Sequence, residues 1–560
     1  MKRLISAAAA VMVVLTMAGC SSGNTDDKEK KSSSAESAAE NKSDNKSGDE
    51  DNDGGSDTQD LPEVTPAAGI ATISIVTDDA GEADSLDFIT KTVSGHISEL
   101  IASWDDDYVI PPEPVYKECS ITLYDENAKA VSAGLRGNVK VRGNWTTTYD
   151  KKPLRIKFDE KQSMLGLNDG AEMKNWLLLA EYKDGSMLRD KASLQMARAI
   201  LGKDGLYAAD TQLVDVIVNG KYWGVYLLTE QQQVNPDRVN ITDPEKDYAG
   251  TDIGYFMEFD GYFYNEDDLH QFYMDYNRNA PLKPYDGNGG SGRTMQVLGS
   301  GDEEDPKKEV GITIKSDIYS VEQHDFIANY TNNVYNIMYR AAYEGEAWVF
   351  DDNYKTISRS DKITPQEAVE KVVNVDSLAD MYIISELTCD ADIYWSSFYM
   401  DADFGEGGDK KLTFEAPWDF DSGLGNKDRC ADGTGYYAAN IVPDVNGGAN
   451  GGGEYDTINP WLAVLMYEDW FRDIISAKWT AAYDAGVFTE TLDAIESDKA
   501  KYKDAFERNY SRWDNLVHNE SFAGELTTKA RKCKTQEEAA DYLHEWLSAR
   551  VDFMNGEWGS

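Results

Sequence analysis

The order of apolar and polar positions divides the chain into a strand-rich part followed by a helix-rich part. Alternating apolar residues at 71–75 and 120–124 predict strands, and residues 84–103 between them have helical spacing. Further strand-like segments follow at 138–145, 153–158, 176–180, 213–218 and 224–229. Asn219-Gly220, between the last two segments, predicts a tight hairpin turn.

One helix interrupts this block of strands. Residues 187–201 place apolar side chains at helical spacing, whereas the polar, Gly- and Tyr-rich stretch 235–325 predicts only a strand at 254–259. Helical periodicity returns later and covers most of the C-terminal part, at 325–342, 375–387, 461–482, 489–513 and 536–554. A sheet with one helix, followed by mainly helical chain, favours an α+β fold over a βαβ repeat.

The first 60 residues predict export and a tether. Lys2 and Arg3 precede an apolar run, and the following Ala18-Gly19-Cys20 resembles the bacterial lipobox, in which the cysteine becomes lipid-modified. Residues 21–60 contain no aromatic residue and no Leu, Ile, Val or Met, so we expect a disordered acidic linker. The predicted location is extracytoplasmic, lipid-anchored to the outer face of the bacterial cell membrane. An ordinary cleaved signal peptide with an incidental Cys20 is the alternative.

Charge and composition exclude several classes of function. The 560-residue chain has 54 Lys+Arg against 101 Asp+Glu, a formal net charge of −47, and such a surface repels nucleic-acid phosphates. Its five cysteines are too few and too scattered for a disulfide scaffold or a CxxC zinc site. After the first twenty residues, no stretch approaches the ~18 apolar residues of a membrane span, which excludes a multi-span membrane protein.

A pair of aspartates is the first candidate for chemistry. Asp419 and Asp421 follow a predicted strand at 411–414 and precede a turn containing Gly425. Carboxylates at i and i+2 of an extended strand share one face, and their hard oxygen ligands suit Mg²⁺ or Mn²⁺. Aspartates that only cap the turn are the alternative.

A second acidic cluster lies upstream, where Asp390 and Asp392 follow a predicted helix and precede an aromatic strand. Helix, acidic loop, strand, strand and Asp-containing turn is the order found around kinase active sites. Basic groups for phosphates are available in the strand block, at Arg142 and in residues 151–157. There Arg155 and Lys157 share one strand face while apolar residues share the other.

Together these segments resemble the spore coat protein H (CotH) kinase family. The similar segments occur in the family's order over about residues 115 to 555, at 142–145, 152–158, 174–180, 188–191, 219–230, 417–421 with Gly425, 508–513 and 547–550. The resemblance implies an atypical protein-kinase-like fold: a mixed or antiparallel sheet lobe with one helix at 61–234, and a mainly helical lobe at 235–560. It also implies a surface kinase that uses ATP with Mg²⁺ or Mn²⁺ and phosphorylates Ser/Thr hydroxyls of extracytoplasmic proteins.

The resemblance assigns roles by position. Lys157, or Lys152, would face the nucleotide phosphates with support from Arg142, while the segment 228–231, which includes Glu230, would pass the adenine. Asp392 would be the catalytic aspartate.

The metal ligands implied are Asp419 and Asp421, and Ser397 stands where kinases often place a metal-binding Asn. The helix at 187–201 contains no Glu, so Glu230 or Glu181 would have to pair with the lysine, or the site is impaired.

Other functions stay open on the sequence alone. A catalytically impaired, kinase-like surface scaffold or a carbohydrate-binding lipoprotein is compatible with the many aromatic residues and with the two departures from the kinase pattern. A glycoside hydrolase fits less well, because residues two positions apart suit metal binding better than the flanking of a glycosidic bond.

Overall fold

The computed structural model describes residues 63–276, 281–287, 310–390, 392–427, 432–441 and 458–559. The predicted signal, the linker and Cys20 lie outside the described residues. Among the residues that are described, none of the helices combines the length and the apolar character needed to cross a membrane.

Seven strands close into a barrel in the spatial order β1-β2-β3-β4-β5-β7-β6. They are β1 (Ala71–Thr77), β2 (Lys117–Tyr124), β3 (Ala130–Val141), β4 (Leu154–Gln162), β5 (Met173–Leu179), β6 (Thr211–Val218) and β7 (Lys221–Glu230). Neighbouring strands are antiparallel except β1 and β6, which are parallel. The sequence predicted a mixed or antiparallel sheet. The parallel β1–β6 pair makes the sheet mixed. Because the same pair closes the barrel, neither β1 nor β6 has a free edge.

The predicted alternation in β4 sets the two faces of the barrel. Leu154, Ile156 and Phe158 are buried in the barrel interior, whereas Arg155 and Lys157 are half-buried on the outer face. The hairpin between β6 and β7 is also confirmed. Its turn residues have positive φ angles of 48° and 75°, as a type I′ turn requires.

Eight helices of eight or more residues are present in the described part. They are α1 (Gly95–Ala102), α2 (Arg189–Leu201), α3 (Val321–Tyr339), α4 (Val375–Thr388), α5 (Asp469–Asp484), α6 (Val487–Lys501), α7 (Lys503–Arg512) and α8 (Gln536–Trp558). Four-to-six-residue helices occur at Asp87–Thr90, Leu167–Gly170, Pro365–Glu370 and Pro460–Ala463. Three predicted helices are interrupted: 84–103 is split into Asp87–Thr90 and α1, 461–482 is split into Pro460–Ala463 and α5, and 489–513 is split at Tyr502.

A second sheet lies in the helical part, in the order β14-β13-β8-β10-β9. Its strands are β8 (Gly254–Asp260), β9 (Gln271–Phe272), β10 (Gly311–Ile314), β13 (Phe398–Asp403) and β14 (Thr413–Phe414), and β11 (Trp348–Phe350) pairs separately with β12 (Ile357–Arg359). One apolar core joins the outer face of β5 and β7 to α2, α4 and the C-terminal helices. The turn at 417–425 is thereby held against the barrel.

Candidate active site

A narrow cleft lies between the barrel and the turn at 417–425. Ionisable groups of both signs line it: Arg142, Lys151, Glu181, Lys183, Asp190, Asp419 and Asp421. They come from the connection between β3 and β4, the loop between β5 and α2, the first turn of α2, and the 417–425 turn. The cleft therefore joins segments that are up to 279 positions apart, from Arg142 to Asp421.

The loop between β5 and α2 is held rigidly by Asp184. Its carboxylate accepts the N–H of Ser186 at 2.8 Å and those of Leu188 and Arg189 at 2.9 Å, so it satisfies amides at the start of α2. Arg189 forms a buried ion pair with Asp184 and also donates Nε–H to the carbonyl of Leu424 at 3.3 Å. These bonds fix the loop, and the cleft residues it carries, to the 417–425 turn.

Asp190 binds the same turn directly. Its Oδ1 accepts the N–H of Phe420 at 2.7 Å. Burial raises the pKa of Asp190 to about 8, and the negative charges of Asp421 and Asp419 add to the effect.

Glu181 is buried beside Asp190 at the inner end of the cleft. Its carboxyl shares a side-chain hydrogen bond with the carboxyl of Asp190, and neither of its oxygens accepts a hydrogen bond from an N–H or hydroxyl group among the described residues. Burial, followed by the charge of Asp190, raises the pKa of Glu181 well above its ordinary value. Its backbone has φ of 49°, which is uncommon for a residue other than glycine.

Lys183 supplies the ammonium of the cleft. Its Nζ donates to Ser422 Oγ at 2.6 Å and lies 3.1 Å from Asp421 Oδ1 and 3.8 Å from Glu525 Oε2. Burial alone would lower the pKa of Lys183, but the surrounding acidic groups, Asp421 foremost, raise it well above the ordinary value. Lys183 is therefore charged at neutral pH.

The loop after α4 brings Asp392 close enough to interact electrostatically with Asp419, Asp421 and Lys183, although Asp392 is not part of the cleft lining. Asp392 is 2% exposed, and its Oδ1 has no hydrogen-bond partner among the residues described. Burial raises the pKa of Asp392 well above its ordinary value, the charge of Asp419 raises it further, and Lys427 and Lys183 oppose the shift. The N–H of Leu424 donates to the carbonyl of Thr388 at 2.7 Å, which ties the turn to the end of α4.

The predicted acidic pair reaches the cleft through a different backbone from the one expected. β14 ends at Phe414, and Asp419 has φ of 68°, so the two carboxylates emerge from an irregular turn and not from an extended strand. Both nevertheless line the cleft.

No group of three or more His, Cys, Asp or Glu side chains within the described ranges is close enough together to hold a metal ion by itself. Magnesium does not require such a cage, because it keeps several waters and is held by one or two carboxylates with substrate phosphates. The carboxylates of Asp419 and Asp421, which both line the cleft, fit that mode of binding.

Of the predicted basic residues, Arg142 and Lys151 line the cleft. Burial lowers the pKa of the Lys151 ammonium to about 7, and this group donates to the carbonyls of Ala180, at 2.7 Å, and of Val225. The guanidinium of Arg142 lies 5.8 Å from the ring centroid of Trp418, and its Nη1 is buried without a hydrogen-bond partner in the described structure. Lys157 lies on the outer face of β4, paired in register with Asn138 and Asn175, and is not part of the cleft lining. Lys152 donates to the carbonyl of Thr147, and burial lowers the pKa of its ammonium to about 8.

Glu230 and Ser397 also lie outside the cleft lining. Glu230 forms a buried ion pair with Arg238, with Oε1 at 3.1 Å from Nε, and accepts the N–H of Asp210 at 3.0 Å. Ser397 donates its N–H to Glu258 Oε1 at 3.0 Å. The rest of the segment 228–231 is likewise absent from the lining.

Three residues of the site were not predicted from the sequence: Lys183, Asp190 and Glu525. Asp190 stood within the similar segment 188–191 without a role, and Lys183 lies three positions beyond the similar segment 174–180. The sequence signal that could have identified Lys183 is a charged residue in a short loop between a buried strand and a helix. No pattern in the sequence distinguishes Glu525 from other surface-type acidic residues.

Acids, an ammonium and a guanidinium in one cleft define a site of the kind that takes a metal and phosphates. The family model described as CotH kinase protein matches residues 139–554. The chain belongs to the CotH kinase family, as the resemblance predicted. No curated protein matches it. Family membership suggests a kinase-like function, that is, a phosphotransferase with general use of nucleotide and metal.

Proposed function

We propose that this cleft binds ATP with Mg²⁺ or Mn²⁺ and transfers its terminal phosphate to Ser/Thr hydroxyls of extracytoplasmic proteins. The observation that carries the proposal is the closeness of the buried Asp392 to the charges of Asp419, Asp421 and Lys183, which line the cleft. Phosphoryl transfer depends mainly on positioning and on neutralising charge, and this set of groups is suited to both tasks.

Each charged group has a distinct task in the proposal. Arg142, whose Nη1 has no partner among the described residues, binds a phosphate oxygen. Lys183 takes the role that the sequence had given to Lys157. A divalent cation bound by Asp419 and Asp421 would neutralise phosphate charge. Asp392 orients the acceptor hydroxyl and accepts its proton.

The chain order around the cleft supports an atypical kinase-like arrangement. α4, the loop with Asp392, β13, β14 and the turn with Asp419 follow one another as helix, acidic loop, strand, strand and Asp-containing turn. In this proposal the seven-stranded barrel takes the place of the N-terminal lobe, and the part from residue 235 onward is the second lobe.

Thermal unfolding with and without ATP and Mn²⁺ tests the binding step. We expect ATP with Mn²⁺ to raise the Tm of the wild-type protein and to have no effect on Asp419→Ala. A full ATP shift in Asp419→Ala would contradict the proposed metal ligand.

Transfer of radiolabel from ATP to a mixture of exported proteins tests the chemistry. We expect transfer by the wild type and none by Asp392→Ala, with the ATP-induced Tm shift retained in that variant. Nucleotide binding without any transfer by the wild type would favour the alternative, a catalytically impaired kinase-like scaffold.

We also propose export and lipid anchoring through Cys20. The basic residues, apolar run and Ala18-Gly19-Cys20 at the start of the sequence support this. The full chain should fractionate with membranes, and Cys20→Ser should release it. Equal membrane association of the two proteins would contradict the anchor.

A further inference from the structure

We propose that Glu525 holds the cleft closed by occupying the ammonium of Lys183, and that a nucleotide phosphate displaces it when the cleft opens. The inference rests on the proposed function of the cleft as a metal–nucleotide site, and it names the group with which the nucleotide must compete. It gives Glu525 an inhibitory role, unlike the supporting role that the sequence had left to Glu230 or Glu181.

The cleft is too small for a nucleotide in the state that the structure describes. Its open space is about 30 Å³, which is room for about two water molecules. A triphosphate with its cation is many times larger. The cleft must therefore widen before it can act, and the contacts that keep it narrow control that step.

Lys183 has no donor left for a phosphate oxygen. An ammonium has three N–H donors, and three partners surround this one: Ser422 Oγ at 2.6 Å, Asp421 Oδ1 at 3.1 Å and Glu525 Oε2 at 3.8 Å. Glu525 is the most distant of the three, and it is the only one of them outside the 417–425 turn. It is therefore the partner that a phosphate can replace without disturbing the proposed metal ligand.

Glu525 belongs to a segment, residues 519–525, that packs against one side of the cleft. Phe522 of this segment contacts Tyr149 and Tyr182, with ring centroids 5.9 and 5.6 Å apart, and both tyrosines line the cleft. An outward shift of the segment would widen the cleft and separate the carboxylate from the ammonium.

The displaced carboxylate would keep other partners. The hydroxyl of Tyr149 donates to both oxygens of Glu525 at 3.2 Å, and the positive charge of Lys427 also acts on this carboxyl. Removing the cation of a buried carboxylate is most costly when nothing else compensates its charge. The hydroxyl and the second cation reduce that cost, so a phosphate can take the place of Glu525 on Lys183.

Calorimetric titration of the full chain with a non-hydrolysable ATP analogue and Mn²⁺ tests the inference. Glu525→Gln removes the negative charge and keeps an oxygen acceptor for the Tyr149 hydroxyl. We expect this variant to bind the analogue about tenfold more tightly than the wild type, because a larger fraction of its molecules is already open. Glu415→Gln, which removes a buried carboxyl outside the cleft lining, is the matched control and should bind with wild-type affinity.

A gain in affinity is not the result of lost packing or lost stability. Equal or weaker binding by Glu525→Gln would overturn the inference, and weaker binding would assign to Glu525 the support of Lys183. In both cases, nucleotide binding by the wild type would leave the proposed function standing. Binding by neither protein would overturn both.

Hydrogen exchange of the wild type gives a second test, which does not depend on the folding of a variant. We expect the backbone amides of 519–525 to exchange faster when the analogue and Mn²⁺ are bound, because the segment has moved away from the cleft. Unchanged or slower exchange in this segment would overturn the inference.

Discussion

The Nζ of Lys183 lies 3.1 Å from Oδ1 of Asp421, although the two residues are 238 positions apart. The same ammonium lies 3.8 Å from Oε2 of Glu525. One cation therefore joins the loop after β5, the 417–425 turn and the C-terminal region. Both partners of the closer contact are largely buried, with side chains 7% and 14% exposed, so losing one leaves the other poorly solvated.

Replacing Lys183 tests which lysine serves the cleft. Lys183→Met should lower the free energy of unfolding by about 3 kcal/mol, because Asp421 and Glu525 lose their cation. It should also reduce phosphoryl transfer about 100-fold through loss of a phosphate contact. Urea unfolding and a radiolabel transfer assay measure the two effects.

Lys157→Met is the matched control for Lys183→Met. Lys157 is half-buried on the outer barrel face, so we expect a change in stability of about 0.5 kcal/mol or less and full transfer activity. Loss of activity in Lys157→Met with normal activity in Lys183→Met would restore the role that the sequence resemblance implied.

Arg550 should be critical for stability. The residue is fully buried on α8, forms an ion pair with Glu386 on α4, and donates to the Gly435 carbonyl at 2.6 Å. Arg550→Met leaves the buried Glu386 carboxylate with N–H donors from Tyr437 and Ala438 but without its cation, and should cost about 3 kcal/mol in urea unfolding. The exposed Arg531→Met should change stability by about 0.5 kcal/mol or less. Equal stability of the two variants would refute a structural role for this ion pair.

Glu415 should make stability depend on pH. Burial raises its pKa to about 7, and it lies against Asp401, whose pKa is also raised well above the ordinary value by burial and by Glu415. A raised carboxyl pKa means that the native state binds the proton more strongly than the unfolded chain. This contribution is complete below the unfolded pKa of 4.5 and is lost as the pH rises through about 7.

Glu415→Gln removes this titration and keeps an acceptor for the N–H of Tyr207. Between about pH 5 and pH 8 the variant should lose less unfolding free energy than the wild type, by about 1 to 3 kcal/mol. Urea titrations at several pH values measure the difference, with the exposed Glu172→Gln expected to follow the wild type. Parallel curves for wild type and Glu415→Gln would show that this carboxyl does not titrate on unfolding.

Gly425 should be indispensable to the turn. Its φ is 75°, and an added Cβ would lie 2.5 Å from Cδ1 of Trp546 on α8. Gly425→Ala should therefore lower stability by about 2 kcal/mol or more and weaken metal-dependent ATP binding. Gly202→Ala, at φ of −62° with open space around it, should be neutral or stabilising by about 0.5 kcal/mol. Calorimetric Tm values that fall equally in both variants would contradict this explanation.

Local pattern determined much of the fold. The alternation in β4 identified its inner and outer faces, and Asn219-Gly220 identified the β6–β7 hairpin, because both depend on residues adjacent in sequence. Closure of the barrel could not be predicted in this way. It depends on a parallel pairing of β1 with β6, whose residues are about 140 positions apart.

The sequence by itself determined the family, the α+β class, and the two acidic segments with Asp392 and Asp419. Only the tertiary structure decided which basic residue meets them. Lys157 sits in the stronger local motif, yet the pleat of β4 directs it to the outer barrel face, while Lys183 follows the strand end that abuts the 417–425 turn. Side-chain direction along a strand can be read from alternation, but the neighbour that a side chain meets depends on packing between distant segments.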